Sequence, residues 1–479
     1  MSDARLPPDP DGPLDERDGI SRGRLRRTAP LAALSARTAG EAVVVGVRGK
    51  LTGADPTDFH VRTAERYAEL LGRSKGALMK AGQMLSFVSV GSVVPAEFQS
   101  IYRAALVRLR DDAPPMAPEL VRRVLECELE RPAESAFAEF DWSPLAAASI
   151  GQVHAARLHD GRAVAVKVQY PGVAGAIAAD LKNSQLLAAF VGLMLGLSSS
   201  KGTVDPRSAA RELSVRITEE LDYRIEAANQ ARFADRYRGH PFIRVPEVIG
   251  ELSTTRVLTQ ELCRGRSWSA AIGAEQALRD RWAEAIWRFV YGSHVRFHMI
   301  NADPQPGNYV FHDDGSVSFL DFGCVQRFRR DQTDMAVAIM RECLRGDVLG
   351  TWRACVEVGY WNSSDPVTPE EVFAWWHEPF RYLWDEQPFT ITPEYAASWV
   401  EHRFSPTGRS ANALRHLTMQ PDCLAWTRIE LALSSVLAEL YATNDWATII
   451  AEYRGDAPTT SMGKLDHAFF ADRQMTGRA

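Results

Sequence analysis

Asp303, Asn308 and Asp321 are the residues of this chain whose types and spacing point most directly to chemistry. They lie in Asn301-Ala-Asp-Pro-Gln-Pro-Gly-Asn308 and, after a short apolar stretch, in Leu320-Asp-Phe-Gly323. Two carboxylates and a carboxamide at one mouth can hold Mg²⁺-nucleotide and aim a hydroxyl at it, which is what phosphoryl transfer requires. Asp303 is the candidate for orienting or deprotonating the acceptor. Asn308 and Asp321 are the candidate metal ligands.

These groups meet only if the chain between them doubles back. Tyr309-Val-Phe and Ser316-Val-Ser-Phe-Leu320 are β-prone runs joined by His312-Asp-Asp-Gly315, and the Asp-Gly pair predicts a hairpin closed by a tight primed turn. Taken alone, Asp-Phe-Gly is a common turn sequence. Its separation from an Asp-x₄-Asn element is what favours a metal-nucleotide site.

Upstream, Pro144-Leu-Ala-Ala-Ala-Ser-Ile-Gly-Gln-Val-His154 leads through a His159-Asp-Gly161 turn into Ala163-Val-Ala-Val-Lys-Val-Gln169. A lysine at the end of such a strand is ordinarily a solvated edge residue. Lying one hairpin after a small-residue loop, Lys167 is instead the candidate for holding the α/β-phosphates. It needs a carboxylate partner. Asp205-Pro206 reads as an N-cap followed by Pro at the first helical position, and Leu213, Ile217, Leu221 and Ile225 recur every four residues. This predicts one helix running through Glu220–Asn229, with Asp222 and Glu226 on a shared face. Glu226 is the expected partner of Lys167; the plainer reading of these carboxylates is a solvated helix face.

Four features together resemble the UbiB/AarF family of atypical, protein-kinase-like proteins: Lys80-Ala-Gly-Gln83, Ala146-Ala-Ala-Ser149, Glu220-Leu-Asp222 with Glu226, and the Asp303/Asn308/Asp321 set. The similarity runs from about residue 40 to about 330 and more loosely to the end. The resemblance implies an α+β, bilobal kinase-like fold with an N-terminal helical extension packed over the nucleotide cleft. It implies that Lys80 and Gln83 on that extension gate the cleft, with Lys80 meeting Glu220 and Asp222. Ala146, Ala147, Ala148 and Ser149 stand where ordinary kinases carry Gly-x-Gly-x-x-Gly, so a stiffer loop with altered nucleotide preference is expected. Glu261 to Cys263 would offer backbone groups to adenine. The implied cofactors are ATP (or ADP) and Mg²⁺, and the implied context is isoprenoid-lipid or quinone metabolism, with a small molecule or water as acceptor. Two departures matter: Asn301 and Gln305 replace the two histidines of the family's HxDPHPGN. No Ala-Pro-Glu follows Asp321, which argues against a peptide substrate. The alternatives are a phosphotransferase of the aminoglycoside or choline type, and a nucleotide-binding pseudokinase scaffold.

The remaining sequence bounds these readings. At 479 residues and 46% hydrophobic content there is ample core for two or three domains. We expect a disordered basic tail over 1–40, a helical extension over 41–135, a small lobe over 136–262 with a helical insertion near 172–204, and a mainly helical large lobe over 263–479. A net charge of −6 gives no reason to expect nucleic acid as a partner. Six cysteines lack metal-like spacing and read as reduced thiols in a cytoplasmic protein. The longest apolar run, Leu186–Leu197, is too short to span a bilayer and reads as a buried helix, which leaves peripheral contact with the inner face of a membrane open.

Overall fold

The computed structural model describes residues 115–148, 150–181, 217–405, 408–418, 421–454 and 456–475, with isolated positions at 61–62, 211 and 214–215. These fall into two compact units. One takes 115–181, 211–227 and 248–262; the other takes 228–247 and 263–475. Lys80, Gln83 and Ser149 lie outside the described residues, as does the apolar run 186–197. Among the described helices none is long and apolar enough to cross a membrane.

The first unit is built on an antiparallel sheet. Helix α1 (Pro118–Leu129) precedes strands β1 (Glu139–Ala148), β2 (Gly151–Arg157) and β3 (Ala163–Gln169). The chain continues through α2 (Val173–Leu181), α3 (Tyr223–Tyr237) and the two-residue β4 (Ile243–Arg244) before β5 (Val257–Glu261) joins β3, giving the order β1-β2-β3-β5. Successive strand residues point to opposite faces. Val164, Val166 and Val168 therefore bury together against Val121, Val124 and Leu125 of α1, while Lys167 projects from the other face. Gly151 is required where it stands. A Cβ there would lie 2.3 Å from the Val168 carbonyl oxygen.

Two local expectations need correcting here. The segment Ala146–Ala148 is not a loop: it is the end of β1, paired Ala146 to Val153, Ala147 to Gln152 and Ala148 to Gly151, after register irregularities around Pro144. The ladder satisfies backbone groups that a free loop would leave to water. Nor does one helix run through Glu220–Asn229. The chain turns at Glu220–Asp222 and α3 starts afresh at Tyr223. Asp222 caps it, accepting from the Arg224 N–H at 3.0 Å, and an aspartate offered that role competes with continued helix. The Tyr223 N–H is tied to the Thr255 carbonyl at 3.0 Å, which fixes the entry of α3. Of the four-residue repeat, Ile217 is buried but Ile225 is exposed.

The second unit centres on α4 (Gln276–Phe297), whose residues from Trp282 to Val290 are all buried. The helix is followed by β6 (Met299–Asn301), β7 (Tyr309–Phe311), β8 (Val317–Phe319) and β9 (Val325–Arg327). His298, at φ 54°, ends α4 and turns the chain into β6. Phe289 stacks on Phe319 at 3.8 Å between centroids, and Phe322 packs on Phe233 at 5.0 Å, so α3, α4 and the hairpin share one aromatic core. Each fully buried phenylalanine contributes about 2–3 kcal/mol. β4 adds to β8 in parallel. The hairpin forms as expected, with Tyr309 opposite Phe319 and Phe311 opposite Val317. Its turn differs from the tight primed one. Only Gly315 of the turn has positive φ (83°), and His312 N–H reaches the Ser316 carbonyl at 3.1 Å, so Asp313-Asp-Gly315 is a three-residue loop ending in a glycine bulge.

Beyond β9 the chain is mainly helical, through α5 (Arg330–Leu344), α6 (Val348–Val358), α7 (Pro369–His377), α8 (Pro393–Phe404), α9 (Pro421–Glu439) and α10 (Ser461–Met475). The aromatic-rich stretch is core, as expected. Arg403 is 1% exposed, with its guanidinium 3.8 Å from the Trp375 ring and 5.1 Å from that of Trp399. Buried Trp361 donates from Nε1 to the Ala413 carbonyl at 2.9 Å.

Candidate functional site

In the second unit the three chemistry-bearing residues are brought together by backbone economy. Pro306–Asn308 is a single 3₁₀ turn, with Asn308 N–H bonded to the Gln305 carbonyl at 2.9 Å. The turn folds Asn308 back on Asp303, and its Nδ2 donates to both the main-chain oxygen and Oδ2 of Asp303, each at 3.2 Å. Because the amide nitrogen is spent there, Oδ1 is the atom Asn308 can offer to a cation. The hairpin then returns Leu320, whose N–H meets the Asn308 carbonyl at 3.0 Å. The Gly323 N–H donates to Asp321 Oδ1 at 2.9 Å, holding the carboxylate over its own loop. An amide oxygen and a carboxylate are hard-oxygen donors of the kind that Mg²⁺ takes, since it usually binds one or two protein carboxylates and fills its other positions with water and phosphate oxygens.

Asn301 uses both ends of its carboxamide on backbone groups. Its Nδ2 donates to the Asp321 carbonyl at 2.7 Å, and its Oδ1 accepts from the Asp303 N–H at 3.3 Å. One neutral side chain thus bridges the Asp303 loop and the Asp321 loop. Gln305 is buried, and its N–H closes onto the Asp303 carbonyl at 2.8 Å. Tyr309 lies beneath the turn; burial, reinforced by the negative charge of Asp303, holds its phenol well above its ordinary range.

In the first unit Lys167 Nζ lies 3.0 and 2.9 Å from the two oxygens of Glu226. The side chains are 15% and 7% exposed, so this is a largely desolvated pair. Its geometry follows from β3 and from the first turn of α3. Tyr223, buried beneath, presents its ring 5.0 Å from the ammonium, a cation–π contact the sequence reading did not anticipate. Asp222 is grasped by Arg224 through Nε at 2.9 Å and Nη2 at 2.6 Å, and this hydrogen bonding holds its carboxyl below the ordinary range. Glu220 stands in the preceding turn, half-buried.

Ala146 and Ala147 are exposed on β1 and Ala148 is half-buried. Beneath them a buried relay braces the strand pair: Gln152 Oε1 accepts from the Met116 N–H at 2.9 Å, its Nε2 contacts His154 Nε2 at 2.9 Å, and His154 Nδ1 donates to the Asp141 carbonyl at 2.9 Å. Burial keeps this imidazole neutral by lowering its pKa. Of the segment expected to meet adenine, Glu261 ends β5, the Leu262 N–H is spent on the Ala163 carbonyl at 3.1 Å, and Cys263 opens the second unit.

Two further residues at the Asp321 loop escaped the sequence reading. Asn229 on α3 donates from Nδ2 to the Phe322 carbonyl at 3.2 Å, and Arg327 on β9 donates to Asn229 Oδ1 at 2.9 Å. The available signal was spacing, since Asn229 lies three residues after Glu226, on adjacent turns of one helix.

Comparison with known proteins gives these observations a context. The family model described as the ABC1 atypical kinase-like domain matches residues 108–353. The atypical kinase COQ8B, mitochondrial, of Rattus norvegicus is 35% identical over 286 residues, covering 59% of this chain and 52% of that protein. The atypical kinase coq-8, mitochondrial, of Caenorhabditis elegans is 32% identical over 316 residues, covering 64% of this chain and 40% of that protein. The chain thus spans about half the length of the curated relatives it matches. Among solved structures, Rv3197 of Mycobacterium tuberculosis in complex with erythromycin is 30% identical with a TM-score of 0.57, covering 80% of this chain and 93% of that one.

Proposed function

The chain belongs to the ABC1 atypical kinase-like family, the UbiB group, with its kinase-like α+β fold, and from that premise we propose that it binds Mg²⁺-ATP and transfers the γ-phosphoryl group to a small hydroxyl-bearing molecule or to water. The observation that carries this reading is the bridged set in the second unit, in which Asn308 is bonded to Asp303 while Asn301 ties Asp303 to Asp321.

Asp303 orients the acceptor hydroxyl and receives its proton as the new O–P bond forms and the β–γ bridge breaks. Asn308 Oδ1 and the Asp321 carboxylate hold Mg²⁺, which when bound neutralises charge on the transferred group. Lys167, kept in place by Glu226, orients the α/β-phosphates. Ala146, Ala147 and Ala148 at the end of β1, with Ser149 next in sequence, meet the phosphates and set the preference between ATP and ADP, and the Glu261–Cys263 backbone receives adenine. Lys80 and Gln83 gate the cleft through Glu220 and Asp222. Because Arg224 already holds Asp222, that gate competes with an existing ion pair.

The relatives named as COQ8 kinases support an isoprenoid-lipid or quinone context, and, being named mitochondrial, they do not support the cytoplasmic location expected from the sequence. Erythromycin in the Rv3197 complex supports a second reading, a phosphotransferase acting on a soluble hydroxylated molecule.

Mg²⁺-dependent ATP hydrolysis by the purified chain tests both. It is measured with anionic liposomes, with a water-soluble phenol, with erythromycin, and in the Asp321→Asn variant. Turnover that rises with lipid or phenol and vanishes in the variant supports the first reading. A rise with erythromycin alone supports the second. Turnover unchanged in Asp321→Asn removes the assignment of the metal site.

A further inference from the structure

The peptide group joining Phe322 to Gly323 is hydrogen-bonded at both ends. Its C=O accepts from Asn229 Nδ2 at 3.2 Å, and its N–H donates to Asp321 Oδ1 at 2.9 Å. A peptide unit is planar, so fixing the direction of the carbonyl fixes the direction of the N–H. Asn229 therefore governs where the Gly323 N–H points, and through it how the Asp321 carboxylate is held. The orientation of the Asn229 amide is itself determined. Arg327 can only donate, and it does so to Asn229 Oδ1 at 2.9 Å, which leaves Nδ2 for the carbonyl. The arrangement is rigid at both ends: Asn229 is 7% exposed, and the Phe322 ring is fully buried against Phe233 and Phe289. Hydrogen bonds chained in this way polarise one another in a water-poor setting.

We propose that Asn229, oriented by Arg327, is a positioning residue for the metal-binding carboxylate: the relay Arg327–Asn229–peptide–Asp321 sets the direction in which Asp321 presents its oxygens. This rests on the assignment of Asp321 to Mg²⁺ made above. Together with Asn301, which holds the preceding carbonyl, it gives the loop two amide clamps, neither of which titrates. The device is specific to a carboxamide. An aspartate at 229 would still accept from Arg327 but would set a carboxylate against the Phe322 carbonyl, and the peptide would rotate away.

The experiment is nucleotide binding by the full chain with and without Mg²⁺, using ATP as the probe, in wild type, Asn229→Asp, Arg327→Leu and Asp321→Asn. Loss of one hydrogen bond's worth of alignment lowers affinity for Mg²⁺-ATP about five- to tenfold in Asn229→Asp and raises the Mg²⁺ concentration needed for half-saturation, while affinity for metal-free ATP is unchanged. Arg327→Leu shifts the same quantities in the same direction, about two- to threefold, because the amide is only loosened. Arg327 is exposed, so this variant carries the test if Asn229→Asp does not fold. The proposal is overturned if both variants keep wild-type Mg²⁺ dependence while Asp321→Asn loses it, or if metal-free and Mg²⁺-bound affinities fall in equal proportion, which marks a purely structural role. Wild-type Mg²⁺ dependence in Asp321→Asn would instead bring down the metal assignment, and this inference with it.

Discussion

Neutralising either member of the Lys167–Glu226 pair should destabilise the first unit, and neutralising both should largely restore it. The contacts of 2.9–3.0 Å and side-chain exposures of 15% and 7% set the scale. At such a separation and an effective dielectric of about 20, the gross attraction is about 5 kcal/mol. Leaving one charge buried without the other typically costs about 3–5 kcal/mol. Water still reaches part of Lys167, and the Tyr223 ring offers it a residual contact, so the lower end, about 3 kcal/mol, is expected for Glu226→Gln and for Lys167→Met. The double variant carries no buried charge and should lie within about 1 kcal/mol of wild type, because replacing a buried pair with neutral groups of similar volume is often close to neutral. Scanning calorimetry of the full chain at neutral pH reads the transition, and ATP titration runs alongside. All three variants should lose nucleotide affinity, so stability and binding part company in the double variant. If its loss of stability equals the sum of the two single losses, the side chains do not interact and the reasoning fails.

Three other outcomes follow from separate features. Gly151→Ala should cost about 2 kcal/mol or more, because the new Cβ meets the Val168 carbonyl oxygen at 2.3 Å and must push β2 off β3; an unchanged denaturation midpoint would show that the strand yields freely. Ala147→Gly relaxes the strand end opposite Gln152 and should change the ratio of ATP to ADP affinity, so identical ratios in the two proteins would count against a phosphate-loop role. Burial lifts the Glu430 carboxyl to about 7 against the pull of the Arg403 guanidinium at 3.9 Å, with the phenols of Tyr291, Tyr382 and Tyr395 around it. A folded carboxyl that binds its proton more tightly than the ordinary 4.5 contributes most below that pH, and its contribution is lost as pH rises toward 7. The loss is up to about 3 kcal/mol. Glu430→Gln should remove this slope from a plot of Tm against pH, and parallel plots for the two proteins would refute it.

Much of this protein was legible in one dimension, because the decisive signals are local. Asp303, Asn308 and Asp321 sit at the ends of a hairpin whose strands and glycine bulge are encoded within about a dozen residues, and the sequence alone determined that they would meet. Lys167 was legible because it lies one hairpin after a small-residue segment, a position that separates it from an ordinary solvated strand lysine. Glu226 was legible by charge, although the helix carrying it was drawn too long: periodicity registered Leu213 to Ile225 and passed over an aspartate suited to cap a new helix. The primed turn failed for a related reason, since Asp-Gly fits two turn types and only the His312–Ser316 ladder contact chooses between them. What only the tertiary structure decided is the wiring between distant segments. Asn229 lies 93 positions from the carbonyl it holds and 98 from the arginine that orients it. No pattern in the chain announces such a bond, because hydrogen-bond pairing depends on where packing of the buried Phe322 between α3 and α4 places the backbone, and that packing is a property of the whole second unit.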